Sequence, residues 1–152
     1  MLRHQSDPIY FGDLTKGFEL ENLEFYGNES SPSAIVIRAN YSSEGIEFFS
    51  PNDYSQQLGY MRRPKGYVVE PHIHNQVSRT ITHTQEVLVI KSGICEVNLY
   101  NEDHVRTDQI RLARGDIILL AHGGHDVRVL EDCEIIEIKQ GPYAGDQDKV
   151  RF

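Results

Sequence analysis

The sequence predicts an all-β domain of the sandwich or barrel type. Apolar and polar residues alternate with a period of two over several short runs, which is the pattern of half-buried strands. Turn residues, many of them glycine, separate these runs at fairly even spacing, and no long segment has the period of an amphipathic helix. Many short strands spaced in this way favour two packed sheets or a closed barrel.

The strand pattern predicts both the strands and the turns that join them. The predicted strands are residues 33–38, 45–49, 86–90, 94–100, 116–120, 125–130 and 134–139. The predicted turns are residues 91–93, 114–116, 122–124 and 131–132.

A length of 152 residues fits one domain with a sizeable core. We expect a single domain over 1–152, with N-terminal strands and loops in 1–55, the core in 56–140 and a tail in 141–152. The N-terminal part is broken by Gly, Pro, Asn and Ser, so we expect it to add edge strands or loops. The tail leaves the last strand at Gly141-Pro142 and either frays or folds back over the body.

The charge and the cysteines exclude several classes of protein. A net charge of −8 without a Lys/Arg stripe argues against nucleic-acid binding. The N-terminus lacks the apolar stretch of a signal peptide, and no apolar run approaches membrane-spanning length. We therefore expect a cytoplasmic protein without membrane contact, in which the isolated Cys95 and Cys133 are buried free thiols.

The pair His72 and His74 is the strongest functional signal in the chain. A strand projects residues i and i+2 from the same face, so both imidazoles can converge on one metal ion. Glu86 is the expected third ligand. If residues 72–90 form a hairpin that turns near 79–81, antiparallel pairing places His74 opposite Glu86 on the same face.

The fourth ligand is expected where a strand runs into the glycine turn at 122–124. His125 begins the next strand and shares its parity with Val127 and Val129, so it is expected to face inward, whereas His122 lies in the turn and meets solvent. His83 has the opposite parity to Glu86 and faces away, unless a β-bulge near residues 84–85 reverses it. In that case His83 becomes a ligand or an acid/base group.

These residues together resemble the two signature motifs of the cupin superfamily. The anchor points of the first motif match Gly66, His72, His74, Glu86 and Gly93, and those of the second match Gly115, Asp116, Gly123 and His125. The resemblance covers roughly residues 56–140. The chain departs from the family in the long gap of eleven residues after His74, and in Ala121 where a proline is usual.

The resemblance implies a cupin-type jelly-roll β-barrel that binds a divalent metal ion. The implied ligands are His72, His74, Glu86 and His125. Three imidazoles and a carboxylate suit Zn, Fe, Ni or Mn and do not choose among them. The alternative is a barrel that keeps these residues and binds no metal.

The mouth of the barrel is the expected pocket for a small, carbohydrate-like substrate. Tyr60 and His83 are candidates for carrying a proton there, and Arg62, Arg128 and Gln140 are candidates for binding the substrate, with Tyr67 and Tyr100 as further pocket candidates. Each is otherwise an ordinary residue of the strand surface.

Similar small cupins suggest a metal-dependent isomerase or epimerase that acts on a sugar or sugar-derived acid, as in surface-polysaccharide pathways. An Fe(II)-dependent dioxygenase and a non-catalytic ligand-binding protein are the alternatives. The resemblance also implies a homodimer formed through edge strands, to which Phe48 and Phe49 could contribute.

Overall fold

The alternating runs form antiparallel strands in the computed structural model, which describes residues 18–152. Of the N-terminal part predicted at 1–55, residues 1–17 lie outside the described residues. The strands are β1 (Phe18–Leu20), β2 (Leu23–Asn28), β3 (Ser31–Ile37), β4 (Gly45–Phe48), β5 (Gly59–Arg62), β6 (Glu86–Ser92), β7 (Ile94–Tyr100), β8 (Arg106–Ala113), β9 (Ile117–Leu120), β10 (Gly124–Val129) and β11 (Glu134–Lys139). A single 3₁₀ turn, Gly145–Gln147, follows β11 in the described chain.

The strands are arranged in three antiparallel sheets. The largest has six strands in the order β1-β2-β3-β9-β6-β11, a second has the order β10-β7-β8, and β4 pairs with β5 alone. Within the described residues, β10 and β11 each have one edge without a neighbouring strand. The all-β class is therefore confirmed.

The two larger sheets pack face to face around the main core. Apolar side chains of β3, β6 and β9 meet those of β7 and β8, and the buried cluster is Ala34, Val36, Leu88, Ile90, Cys95, Val97, Leu99, Ile110, Leu112, Ile118 and Leu120. Alternate residues of the six-stranded sheet, such as Ile35 and Leu119, face the opposite side, where Phe49, Tyr54 and Leu58 cover them. The period-two pattern thus separates two apolar faces of one sheet.

All seven predicted strands are present, with ends that differ by no more than two residues. The period-two pattern did not predict β1, β2, β5 or β8. In β8 only the apolar side chains of Ile110 and Leu112 are fully buried. The other residues of this strand are mostly polar, so the alternation of apolar and polar residues is too short to recognise in the sequence. Among residues 18–152, no helix is long and apolar enough to cross a membrane.

Two expectations about the elements were wrong. Residues 63–85 contain no strand, so His72 and His74 lie in irregular chain. The expected hairpin is also absent, because Glu86 pairs with Leu120 on one side and Lys139 on the other, rather than with His74. The N-terminal part supplies the edge strand β1, as expected, but it also supplies β3, which lies inside the six-stranded sheet between β2 and β9.

The tail folds back over the body. The ring of Phe152 stacks on His104 with centroids 4.0 Å apart and also meets Tyr100 edge-on. Thr84 Oγ1 donates a hydrogen bond of 2.6 Å to Asp148 in the same tail. The sequence left open whether the tail frays or folds back, and in the structure it folds back over the body.

Candidate functional site

Glu86 and His125 meet at the open end of the space between the two larger sheets. Glu86 lies on the inner face of the six-stranded sheet, opposite the core residue Leu120. His125 lies on the inner face of the three-stranded sheet, opposite the core residue Leu99. The His125 Nε2 atom is 3.1 Å from Glu86 Oε2, so two facing sheets are joined by one polar contact.

The surroundings keep Glu86 ionised. The hydrogen bond from His125 lowers the pKa of Glu86 below its usual range. The charge of Lys139 also lowers this pKa, whereas partial burial of the carboxylate raises it. The Lys139 Nζ atom is 3.6 Å from Glu86 Oε1 and 2.7 Å from a Glu137 carboxylate oxygen. The side chain of Glu86 is 15% exposed and that of His125 is 33% exposed, so both can be reached from solvent.

Sequence reasoning did not identify Lys139 as part of this site. Its position could have been found from strand parity, because Lys139 is the direct neighbour of Glu86 once β11 is paired with β6. That pairing joins residues that are 53 positions apart in the sequence and has no local signature. The contact of Glu86 with His125 was expected from the motifs, and the structure places these two residues together.

The other two predicted ligands lie elsewhere. His72 and His74 are exposed, and their rings stand edge to face with centroids 5.1 Å apart. The Nδ1–H of His72 donates a hydrogen bond of 2.8 Å to the carbonyl of Glu70, so its contacts are local. Within residues 18–152, no group of three or more His, Cys, Asp or Glu side chains is arranged to hold a metal ion.

The structure favours His125 over His122 as the histidine of the site. His122 Nε2 lies 3.0 Å from the carbonyl oxygen of Ser31, and its ring stands near that of Tyr54. This places His122 against β3, away from Glu86. Asp116, the motif residue of the preceding turn, has a structural role: its carboxylate accepts hydrogen bonds from the backbone N–H groups of Ala39 and Ala113.

The predicted catalytic residues Tyr60 and His83 have no contact with the Glu86–His125 pair. Tyr60 lies in the β4–β5 sheet, where its ring packs edge to face on Tyr41 at 5.0 Å. His83 is exposed in the irregular segment before β6. Their catalytic roles therefore stay predictions.

The predicted substrate-binding residues have other partners. Arg62 forms an exposed ion pair with Glu44 at 3.0 Å, and Arg128 lies 3.8 Å from Asp126 on the outer face of β10. The Gln140 side chain accepts a hydrogen bond of 2.8 Å from the backbone N–H of Gln85. Gln140 thus fixes the start of β6, directly beside Glu86. The pocket candidates Tyr67 and Tyr100 contact Arg63 and Asp126 respectively.

The site defines a class only in outline: an antiparallel β-sandwich with an ionised carboxylate and an imidazole in contact at its open end. Comparison of the chain with family models, with curated proteins and with solved structures found no match in any of the three. Of the four expected ligands, the structure brings together Glu86 and His125, whereas a stable site for a divalent transition metal uses more than two. Within residues 18–152 of one copy, the expected metal site is therefore incomplete.

Proposed function

We propose that this protein is a cytoplasmic metal-dependent isomerase or epimerase with a cupin-type jelly-roll fold, acting on a sugar or sugar-derived acid. The observation that supports this best is the 3.1 Å contact between His125 and Glu86 at the open end of the sandwich. An imidazole and a carboxylate in contact are both good metal ligands and good proton carriers. Enzymes that isomerise next to a carbonyl group use such groups, with or without a divalent ion.

The position of the pair supports a small polar substrate. Both side chains stand at the end of an apolar core and remain partly exposed, so a substrate can reach them without opening the fold. The cationic Lys139 lies beside Glu86 and offsets negative charge at the same place. A substrate rich in hydroxyl or carboxylate groups suits such surroundings better than an apolar one.

Turnover of a panel of sugars and sugar acids without oxygen, together with metal analysis of protein purified without added metal, tests the proposal. We expect anaerobic isomerisation that falls at least about 100-fold in kcat/KM in Glu86→Gln and His125→Ala, as for loss of a central catalytic or ligand group. His104→Ala is the matched control, because His104 stacks on Phe152 outside the site. Its activity should stay at the level of the unaltered protein.

Three results would contradict the proposal in different ways. Turnover that requires oxygen would favour the dioxygenase alternative. Ligand binding without turnover would favour a binding protein. Full activity in Glu86→Gln would remove the pair from the reaction altogether.

A further inference from the structure

The last residues of the tail, 148–152, are attached to the body at both of their ends and are here called the strap. At the first end, the Asp148 carboxylate accepts a hydrogen bond of 2.6 Å from Thr84. At the second end, the ring of Phe152 meets that of Tyr100 edge-on, with centroids 5.3 Å apart. The strap thus has two anchors on the body.

The second anchor lies directly against the glycine that precedes His125. A Cβ atom added to Gly124 would lie 2.9 Å from a ring carbon of Phe152, so this ring touches the start of β10. Gly124 is also paired with Tyr100, where β7 ends. The stack of the same ring on His104 involves the turn between β7 and β8 and does not bear on β10.

The two anchors lie on opposite sheets and flank the contact between Glu86 and His125. Thr84 is two residues before Glu86, which begins β6 in the six-stranded sheet. Gly124 is directly before His125, at the start of β10 in the three-stranded sheet. Four residues of extended chain cover at most about 14 Å, so residues 149–151 have only a short path from one anchor to the other. That path joins the two sheets at the end of the sandwich where the pair lies.

Apolar packing holds β10 only weakly against the six-stranded sheet. Val127 and Val129 are on the inner face of β10, since their direct neighbours in β7 are core residues. They are nevertheless 38% and 61% exposed. The contact between His125 and Glu86 is itself partly exposed, and an exposed contact of this kind adds little stability by itself. The strap supplies a second link between β10 and the other sheet at this end.

The tail is attached at two places beside the start of β6. In addition to the contact with Thr84, the Gln140 side chain accepts a hydrogen bond of 2.8 Å from the backbone N–H of Gln85. Thr84 and Gln85 are consecutive residues, so both attachments lie directly before Glu86. The tail is thus fastened firmly on the side of the six-stranded sheet, and Phe152 carries it across to β10.

We propose that the strap is a clasp between the two sheets, and that Asp148 and Phe152 are positioning residues that keep His125 against Glu86. Groups that act together on a ligand must be held close in one geometry, because a small displacement costs much of their effect. The clasp holds the pair from outside, so the strap itself needs no contact with a ligand. The clasp concerns the geometry of the pair, whereas any effect on turnover rests on the proposed reaction.

Nuclear Overhauser effects between the His125 ring and the Glu86 side chain test the clasp without substrate or metal. We expect clear effects in the unaltered protein and their loss in Asp148→Ala with Phe152→Ala, which changes the tail and leaves the body untouched. Hydrogen exchange followed by peptide mass spectrometry should become about tenfold faster in β10 and stay unchanged in β8, as for local release of one edge strand.

Tyr143→Ala is the matched control, since it also removes an aromatic ring from the tail, but Tyr143 is 87% exposed and lies outside the strap. Phe152→Tyr is the conservative variant, because it keeps the ring that lies against Gly124. Both proteins should keep the Overhauser effects and the slow exchange of β10.

Overhauser effects that survive in the double variant would overturn the clasp. An equal rise of exchange in β10 and β8 would also overturn it, since the whole fold would then be loosened rather than one strand released. Absence of the effects in the unaltered protein would remove the contact on which both the clasp and the proposed function depend. If the effects behave as expected but no sugar is turned over, the clasp stands and the proposed reaction fails.

Discussion

At the scale of single residues, the partly buried charges around Arg38 are paired across three strands or turns. The Arg38 guanidinium donates to Glu24 at 2.8 Å, to Asp116 at 3.0 Å and to the carbonyl of Arg111 at 2.7 Å. Tyr26 donates a hydrogen bond to the Glu24 carboxylate. Burial and this carboxylate raise the pKa of the Tyr26 phenol well above its ordinary value. This network ties β2 and β3 to the turn before β9.

Arg38→Ala should lower the free energy of unfolding by about 3 kcal/mol, because it leaves two poorly exposed carboxylates without a cation. The Glu24 and Asp116 side chains are 13% and 9% exposed. Urea denaturation measures the change. Lys91→Ala is the control, since its ion pair with Glu134 is 61% and 64% exposed and is worth less than about 0.5 kcal/mol. Equal losses in both variants would contradict the network's role.

The thiol of Cys95 should resist alkylation at neutral pH. Burial, together with the neighbouring Cys133, raises the pKa of Cys95 to about 11. The fraction of reactive thiolate is therefore small at neutral pH, and it rises about tenfold with each unit of pH until that value is reached. Mass spectrometry after iodoacetamide treatment from about pH 7 to 10 should show a steady rise in Cys95 labelling in the folded protein. In urea the rate of Cys95 labelling should stop rising once the pH passes the ordinary thiol pKa of about 8.5. The same levelling in the folded protein would contradict the effect of burial.

At the scale of elements, tight turns fix how consecutive strands meet. Gly93 joins β6 to β7 with a φ of +77°, a conformation that other residues adopt at a cost. A Cβ atom at this position would lie 2.0 Å from the carbonyl oxygen of Asp132. The turn therefore needs glycine both for its conformation and for the close approach of the chain before β11.

Gly93→Ala should destabilise the fold by about 3 kcal/mol or more, since backbone strain and a backbone clash act together. Gly145→Ala is the matched control, because Gly145 also has a positive φ of +63° but nothing lies within 4 Å of its added Cβ. The control should lose only about 1–2 kcal/mol from the strained conformation. Thermal or urea unfolding compares the two, and a similar loss in both would show that the Asp132 contact does not matter.

At the scale of the whole molecule, residues 64–83 and the open edge of β10 leave apolar side chains and backbone groups exposed to water. The main core is closed between the sheets, but its end near Val127 and Val129 is not.

Trypsin should cleave the folded protein after Arg79, in the exposed residues 64–83, well before it cleaves after Arg111, which lies in β8. Peptide mass spectrometry over a time course follows both sites at once. Equal rates at the two sites would contradict the exposure of residues 64–83.

The sequence by itself determined the all-β class, the ends of most strands and the inward positions of Glu86 and His125. It could do so because side-chain alternation and glycine turns are local properties of the chain. Only the tertiary structure decided that Glu86 lies beside Lys139 and that His72 and His74 lie outside the sheets. Those positions depend on pairings between distant segments, and the alternation in residues 66–74 is the same whether or not a neighbouring strand is there to receive it.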